Sequence, residues 1–280
     1  MSILAISWNP DPIWFNIGSF GFRYYSILYV AGLILAYFVI GKLVMREGKD
    51  RDFLDSFTWH VVIGLIIGAR IGHCLFYEFS YYSHHIVEML LPIKQMPDGG
   101  WKFIGYQGLA SHGGAIGILI GLYLFCKKYK VNYLWIADRM VFPVPITGAF
   151  IRFGNFMNSE IVGRPTGTDY GIVFERVDML ARHPAQLYEA ISYLLIFVVL
   201  FWYYRKNYPN LYNGKIFGLF LTLVFSARFV IEFCKEVQES FEQNMFLDMG
   251  QLLSLPFIAI GIWLFFCRKS EVTSEPSVRK

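Results

Sequence analysis

The sequence predicts an all-α polytopic membrane protein with seven transmembrane helices, its N-terminus outside and its C-terminus cytoplasmic. Of its 280 residues, 55% are hydrophobic and only 16% are charged, whereas soluble domains average roughly 25% charged. The hydrophobic residues form blocks of about 20, the length that a helix needs to cross a bilayer. Lipid offers no partners to backbone polar groups, so each block is expected to be a helix. This composition excludes a soluble globular protein.

Seven apolar blocks define the predicted spans. They cover residues 22–44, 57–79, 109–126, 134–153, 187–204, 214–234 and 249–267. Two longer outer loops, about 80–108 and 154–186, separate them, and no repeat or Pro-rich linker divides the chain. We therefore expect a single membrane-embedded domain over residues 1–280. Residues 1–16 carry tryptophans and prolines but no signal-peptide cleavage site, and we expect them to lie in the membrane interface.

The basic residues are divided unequally between the two sides of the predicted membrane. Of the 25 Lys and Arg residues, 14 fall on one side, at the ends of the first, third, fifth and seventh blocks or after them, and 7 fall on the opposite side. Cytoplasmic loops carry the excess of Lys and Arg, which sets the predicted orientation. The other four arginines, Arg70, Arg139, Arg152 and Arg228, lie inside the blocks. A charge at the bilayer centre costs roughly 2.5–3.5 kcal/mol, so a partner or a function must offset it.

Two glycine series mark the second and third blocks. Glycines recur every four residues at positions 64, 68 and 72, and again at positions 113, 117 and 121. This spacing places each series on one helix face and lets two backbones approach closely. We interpret the series as packing that makes a rigid frame.

Polar residues collect toward the outer ends of the spans. Tyr25 begins the first, His112 begins the third and Arg152 ends the fourth. Arg228 lies in the outer half of the sixth, with Glu232 one turn further out, so these two side chains can pair. Guanidinium groups bind phosphate bidentately, and phospholipids supply phosphate. A lipid-processing enzyme is the leading hypothesis. Taken singly, Arg228 and Glu232 could equally well form a pair that only neutralises itself, and a histidine near a helix end such as His112 is more often an interfacial residue.

One segment sharpens the hypothesis, the sequence Ile151-Arg152-Phe153-Gly154-Asn155-Phe156-Met157-Asn158-Ser159-Glu160-Ile161-Val162-Gly163-Arg164. It resembles the signature of prolipoprotein diacylglyceryl transferases, which move diacylglyceryl from phosphatidylglycerol onto a lipoprotein cysteine. The resemblance covers nearly the whole chain. Six further segments resemble motifs of this family. They are residues 23–29, Gly68-Ala69-Arg70-Ile71-Gly72, His112-Gly113-Gly114, residues 182–189, residues 228–233 and Met249-Gly250-Gln251.

The resemblance implies roles for the polar residues. His112 is expected to be the general base, Arg152 and Arg228 to neutralise the phosphate and the leaving oxygen, and Tyr25 to complete the catalytic group. Phosphatidylglycerol binding is expected to involve Arg70, Arg152, Asn155, Glu160, Gly163, Arg228 and Glu232. His183, which precedes a proline at a helix entry, is expected to be structural.

The resemblance also implies the partners and the location. These are phosphatidylglycerol, the signal peptide and cysteine of a prolipoprotein, and membrane lipid, with no nucleic acid. The expected location is the bacterial cytoplasmic (inner) membrane, with the site toward the outer leaflet. No cofactor or metal is expected, because the substrate supplies the nucleophile and the four cysteines lack metal-ligand spacing. The chain departs from the family pattern at Ser26, at Ile151 and at Lys235-Glu236-Val237.

Two other functions stay open at this point. A transporter for small anions would use the buried arginines and a broken helix, for which Pro143 and Pro145 are candidates. An intramembrane protease would need a serine and a histidine on one face. Ser111 and His112 are adjacent in sequence, which does not place them so.

Overall fold

The structure, a computed structural model, describes residues 5–18, 20–96, 99–103, 105, 108–236 and 246–267. This part of the chain is mostly helical, as predicted. Its α-helices are α1 Tyr24–Arg46, α2 Arg51–Phe76, α3 Phe79–Tyr82, α4 Ile86–Leu90, α5 Ser111–Tyr129, α6 Tyr133–Met140, α7 Pro143–Asn158, α8 Ala185–Asn207, α9 Lys215–Glu232 and α10 Met249–Ile262, followed by a π-helical turn Trp263–Cys267. The sequence did not predict the short strands β1 Ala5–Trp8, β2 Ile13–Ile17, β3 Phe20–Arg23, β4 Ile93–Gln95, β5 Trp101–Phe103, β6 Gly171–Phe174 and β7 Ala181–Arg182.

Every predicted span coincides with helix. Five helical stretches are long and apolar enough to cross a membrane, and these are residues 24–46, 51–76, 133–158, 185–207 and 249–267. The other two predicted spans correspond to α5 and α9, of 19 and 18 residues. The predicted second span began six residues late, because the Asp50 side chain accepts a hydrogen bond from the Phe53 N–H at 2.8 Å and starts α2 at Arg51.

The fourth predicted span is broken into α6 and α7 by a turn at Val141 and Phe142. Pro143 starts α7, a position that tolerates proline because the first N–H groups of a helix lack intrahelical partners. The helix then extends to Asn158, so Asn155 and Asn158 belong to α7 and not to the predicted outer loop 154–186. The predicted break at the prolines is therefore present.

Contacts divide the chain into two compact units. The first unit comprises residues 1–43 and 137–280, and the second comprises residues 44–136. The prediction of a single membrane-embedded domain stays a prediction. The predicted interfacial position of residues 1–16 is likewise untested. Residues 1–4 and the predicted charged tail 268–280 lie outside the described residues.

The second unit is built on the pair α2 and α5, whose glycine series face each other. A Cβ atom added at Gly68 would lie 2.7 Å from the Gly117 Cα, and one at Gly72 would lie 2.7 Å from the Gly113 Cα. These separations leave no room for any side chain. The prediction that the two series permit close backbone packing is confirmed.

The first unit has a helical core and a small sheet. Buried apolar residues from the end of α1, the turn between α6 and α7, α8, α9 and the π-helical turn pack together, among them Phe142, Leu200, Tyr204 and Ile216. In the sheet, β6 pairs with β1 in parallel and with β7 in antiparallel register. The Trp8 indole N–H at the end of β1 donates to the Phe156 carbonyl at 3.0 Å, which ties the N-terminal segment to the last turn of α7.

A buried carboxylate anchors α9 from another helix. Asp138 of α6 accepts hydrogen bonds from the N–H groups of Gly214 and Phe217, both at 2.7 Å. It thus caps a helix start that has no side-chain cap of its own. Arg139, which is 1% exposed, lies beside Asp138 with 3.9 Å between Nη1 and Oδ2. Of the four arginines inside the apolar blocks, Arg139 therefore has a structural role beside Asp138.

Candidate functional site

The last turns of α7 carry the densest group of predicted site residues. Arg152 is half-buried and Asn155 is buried one turn later on the same helix. The chain leaves the helix at Ser159 and presents Glu160 immediately afterwards. This arrangement places a guanidinium, an amide and a carboxylate at one helix end.

Arg152 belongs to a chain of four charges that crosses three helices of the first unit. Its Nε lies 2.7 Å from Oε2 of Glu189 on α8. The other carboxylate oxygen of Glu189 lies 2.9 Å from Lys235 Nζ, and Lys235 in turn lies 3.2 Å from Oε2 of Glu232 at the end of α9. The side chains of Glu189 and Lys235 are 1% and 6% exposed. Buried charges of this kind are tolerated only when they are paired, so the network fixes the Arg152 guanidinium.

Glu160 is held without any arginine. Its carboxylate accepts hydrogen bonds from the side-chain amides of Asn155 and Asn158, both at 3.2 Å. Its N–H donates to the Asn155 carbonyl at 2.9 Å, and its carbonyl accepts from the Gln186 side chain at 2.6 Å. The hydrogen bonds to this exposed carboxylate come from neutral amides, and its oxygens can accept further hydrogen bonds from a ligand.

Tyr25 lies against the same end of α7. A Cβ atom added at Gly154 would be 2.7 Å from the Tyr25 ring, so the glycine makes room for the tyrosine. Tyr25 lies within electrostatic range of both Glu160 and Arg152. The first predicted span thus contributes its tyrosine to the α7 cluster.

Arg228 is the exception among the cations of this cluster. The predicted pair with Glu232 is wrong, because Glu232 binds Lys235 and no carboxylate of the described residues lies within 4.0 Å of Arg228. The sequence argument overlooked a second cation within reach of Glu232. Tyr193 on α8 lies within electrostatic range of both Arg152 and Arg228. Tyr193 thus links the surroundings of the two arginines, and the Arg228 guanidinium has no ion-pair partner in the described structure.

Gly163 is packed tightly against backbone, and its predicted part in phosphatidylglycerol binding stays a prediction. A Cβ atom there would lie 2.6 Å from the Cys234 carbonyl oxygen and would also clash with the His183 carbonyl. Gly163 forms a bridge with Lys235, and its N–H donates to the His183 carbonyl at 3.0 Å. The structure therefore gives Gly163 a packing role where three backbone segments meet. His183 has the structural surroundings that were predicted, with Nδ1 3.3 Å from the Tyr188 hydroxyl.

Arg182 fixes the loop that covers this region. Its guanidinium contacts Asp178 at 2.5 Å and Glu236 at 3.0 Å, and donates to the Gly163 carbonyl at 3.0 Å. The hydrogen bond from Arg182 lowers the pKa of Asp178, because it favours the ionised carboxylate. Arg182 is thus a structural cation, and its charge is neutralised by two carboxylates.

Arg70 and His112 both belong to the second unit. Arg70 donates from Nε to the Met89 carbonyl at 3.1 Å and from Nη2 to the Glu88 carbonyl at 2.6 Å, with its guanidinium 4.7 Å from the Tyr82 ring centroid. These contacts hold the 82–89 segment, and the predicted role of Arg70 in lipid binding stays a prediction. His112 is exposed in the first turn of α5.

The sequence interpretation missed the residues that hold the arginines. Glu189 and Gln186 were read only as part of a motif, and Lys235 only as a departure from the family pattern. One signal was available, since Glu189 is the sole carboxylate within the fifth apolar block. A buried carboxylate demands a cation as firmly as a buried arginine demands an anion.

Comparisons with known proteins agree with the resemblance. The family model of prolipoprotein diacylglyceryl transferase matches residues 12–267. The chain is 48% identical over 264 residues to the phosphatidylglycerol–prolipoprotein diacylglyceryl transferase of Bacteroides fragilis, over 94% of this chain and 95% of the relative. It is 43% identical to the enzyme of that name from Tolumonas auensis, over 94% and 98% of the two chains. The enzyme of that name from Chloroherpeton thalassium is 37% identical over 93% of each chain.

Proposed function

The chain belongs to the prolipoprotein diacylglyceryl transferase family, and from this premise we propose that it catalyses the first step of lipoprotein lipidation. It transfers the diacylglyceryl group of phosphatidylglycerol to the thiol of a prolipoprotein cysteine. The cysteine sulfur forms a bond to the glycerol carbon, and the bond from that carbon to the phosphate oxygen breaks. Glycerol phosphate leaves with the electron pair of the broken bond, and the thiol proton passes to a base.

The observation that carries this proposal is that the two arginines differ in their ion pairing. Arg152 is bound to Glu189 and held in place, whereas Arg228 lacks an ion-pair partner in the described structure. A lipid phosphate supplies the anion that Arg228 lacks. Guanidinium groups positioned around a leaving phosphate stabilise the negative charge that develops on its oxygen.

Glu160, Asn155 and Tyr25 orient the headgroup in this proposal. The Glu160 carboxylate is exposed and preorganised by two amides, so it accepts hydrogen bonds from headgroup hydroxyls. Tyr25 lies beside it and can donate its hydroxyl proton to the same ligand. Glu232 acts through Lys235, which it binds, and keeps the cation in contact with Glu189.

His112 remains the proposed general base. This role rests on the family resemblance and on the chemistry of imidazole, whose unperturbed pKa near 6.5 suits proton transfer at neutral pH. A free thiol with a pKa near 8.5 is only a few per cent thiolate at that pH, so a base is needed. His112→Gln should lower the transfer rate at an unchanged protein level, and near-normal turnover from pH 6 to 8 would refute this role.

The membrane arrangement is part of the proposal. We propose seven spans with the N-terminus outside, the C-terminus cytoplasmic and the site toward the outer leaflet of the bacterial inner membrane. The supports are the seven helical blocks, the 14 to 7 division of basic residues and the outer position of Tyr25 in the first span. The substrates outside the chain are then phosphatidylglycerol and the signal peptide of a prolipoprotein.

The transporter hypothesis has one observation in its favour, the break between α6 and α7. The charged residues next to that break are Asp138 and Arg139. Both carboxylate oxygens of Asp138 accept hydrogen bonds from the start of α9, so this side chain caps a helix. The break therefore serves helix packing, and family membership favours the transferase.

Reconstitution tests the proposed function. The purified chain is placed in vesicles with phosphatidylglycerol and a peptide carrying a lipoprotein-type cysteine, and the peptide is weighed by mass spectrometry. A gain of one diacylglyceryl group with release of glycerol phosphate is expected, and a cysteine-to-serine peptide should gain nothing. Folded protein that leaves the cysteine peptide unchanged would refute the proposal.

A further inference from the structure

The turn that carries Glu160 has an unusual backbone. Ser159 and Ile161, the residues on either side of it, have φ values of 56° and 55°. Residues other than glycine seldom adopt this left-handed conformation, and a β-branched residue such as isoleucine is disfavoured there most strongly. Such conformations persist only where surrounding contacts hold them. The contacts that hold this turn therefore matter for the position of the Glu160 carboxylate.

One of these contacts comes from a different helix. Gln186 in the first turn of α8 is fully buried, and its side-chain N–H donates to the Glu160 carbonyl at 2.6 Å. This hydrogen bond joins the turn to α8. Gln186 lies three residues before Glu189, so the two side chains share a helix face. One face of α8 thus holds both Arg152, through Glu189, and the Glu160 turn, through Gln186.

The carbonyl oxygen of the Gln186 side chain indicates that packing alone does not account for a glutamine at this position. Its Oε1 is buried and has no hydrogen-bond partner in the described structure. A buried polar atom without a partner is unfavourable, and methionine would fill a similar volume without that penalty. The glutamine therefore contributes through its N–H donor to Glu160.

We infer that Gln186 is a positioning residue for diacylglyceryl transfer. It holds the strained Glu160 turn so that the carboxylate meets the headgroup of phosphatidylglycerol. This inference rests on the proposed function, because it assigns the headgroup to Glu160. Gln186 itself touches neither the phosphate nor the thiol in this assignment.

Two substitutions of similar size distinguish the hydrogen bond that Gln186 donates from the packing of its side chain. Gln186→Met removes the donor at every pH. Because Glu160 is proposed to bind the headgroup equally before and during the reaction, KM for phosphatidylglycerol should rise about tenfold while kcat stays within about threefold. Gln186→Glu should match Gln186→Met at pH 8, where the carboxylate cannot donate. At pH 6 the buried carboxyl regains a proton and an O–H donor, so its KM relative to wild type should fall severalfold, whereas that of Gln186→Met should not.

The strained turn supplies a second test. Glycine adopts left-handed φ values without penalty, so Ile161→Gly removes the strain that Gln186 offsets. The double variant Gln186→Met/Ile161→Gly should therefore have a lower KM than Gln186→Met, an interaction that a double-mutant cycle measures. Thermal unfolding midpoints of all variants are recorded in the same detergent.

The outcomes distinguish the inference from the function on which it rests. A wild-type protein without transfer activity would refute the proposed function and remove the basis of the inference. An active wild type with an unchanged KM in Gln186→Met would overturn the inference alone. So would a KM of Gln186→Glu, relative to wild type, that does not change between pH 6 and pH 8, together with a KM of Gln186→Met/Ile161→Gly that is no lower than that of Gln186→Met.

Discussion

Helices are held together in two different ways in the two units of this molecule. In the second unit, α2 and α5 meet through glycines, with backbone against backbone and no polar side chain at the closest contacts. In the first unit, α7, α8 and α9 are joined by the chain of charges from Arg152 through Glu189 and Lys235 to Glu232. Glycine packing makes a rigid frame without side chains that could bind a ligand, whereas the charged network orients side chains that can bind one.

The four arginines inside the apolar blocks show the same contrast. Arg139 lies beside Asp138, which caps α9, and Arg70 holds backbone carbonyls in the second unit. Arg152 is paired but lies at a helix end, and Arg228 lacks an ion-pair partner in the described structure. A buried arginine is therefore not by itself a sign of function. Its partners decide whether its charge remains available to a substrate.

The largest predicted effect on stability concerns Glu189. Glu189→Gln leaves Arg152 and Lys235 without their shared carboxylate, and removing one member of a buried ion pair costs about 3–5 kcal/mol. The thermal unfolding midpoint in detergent should fall by many degrees. Glu175→Gln, which changes an exposed carboxylate of the same unit, is the matched control.

Charge compensation sharpens this prediction. Lys235 keeps Glu232 as a partner in Glu189→Gln, whereas Arg152 loses the carboxylate that binds it. The double variant Glu189→Gln/Arg152→Gln removes that stranded cation and should recover part of the lost stability. Equal midpoints for Glu189→Gln and Glu175→Gln would show that the network does not hold these helices.

A smaller effect is predicted at the glycine contacts of the second unit. Gly117→Ala places a methyl group against the Gly64 backbone, and overpacking of this kind costs about 1–3 kcal/mol. Gly114 lies one turn away on the same helix, but a methyl group there meets the flexible end of Leu65 at 2.8 Å. Gly114→Ala should therefore be tolerated better than Gly117→Ala in the same unfolding measurement. Equal losses would mean that backbone contact does not determine the packing of α2 against α5.

The smallest effect concerns pH and the loop of the second unit. The Tyr81 hydroxyl donates to Glu88 at 2.7 Å, which lowers the pKa of Glu88 and raises that of Tyr81 to about 12. A lowered carboxyl pKa stabilises the folded state above the unfolded pKa near 4.5, and this stability is lost as the pH falls through the folded pKa. Hydrogen exchange of residues 86–95 should therefore increase below about pH 4 in the wild type. Tyr81→Phe should already show fast exchange at pH 7, and an unchanged rate in that variant would contradict the assignment.

The sequence predicted the helices well because hydropathy is a local property. It also brought Arg152, Asn155, Glu160 and Tyr25 together, since depth along a span can be counted from residue numbers. It did not find partners that depend on the local end of a helix or on another helix. Glu232 binds Lys235 and not Arg228, because the chain turns back after α9, and Arg152 binds Glu189 on α8. Strand β1 was missed because it pairs with β6 across more than 160 residues, which no local pattern reports.

The central claim is that Arg228 receives the phosphate of phosphatidylglycerol. The most direct test is the rate of diacylglyceryl transfer by Arg228→Gln in vesicles, measured beside Arg205→Gln, which changes an exposed arginine in the last turn of α8. Removing a donor that stabilises developing charge lowers kcat by roughly 10²–10³-fold, and we expect that loss for Arg228→Gln and a change within about twofold for Arg205→Gln. Similar rates for the two folded variants would contradict the claim.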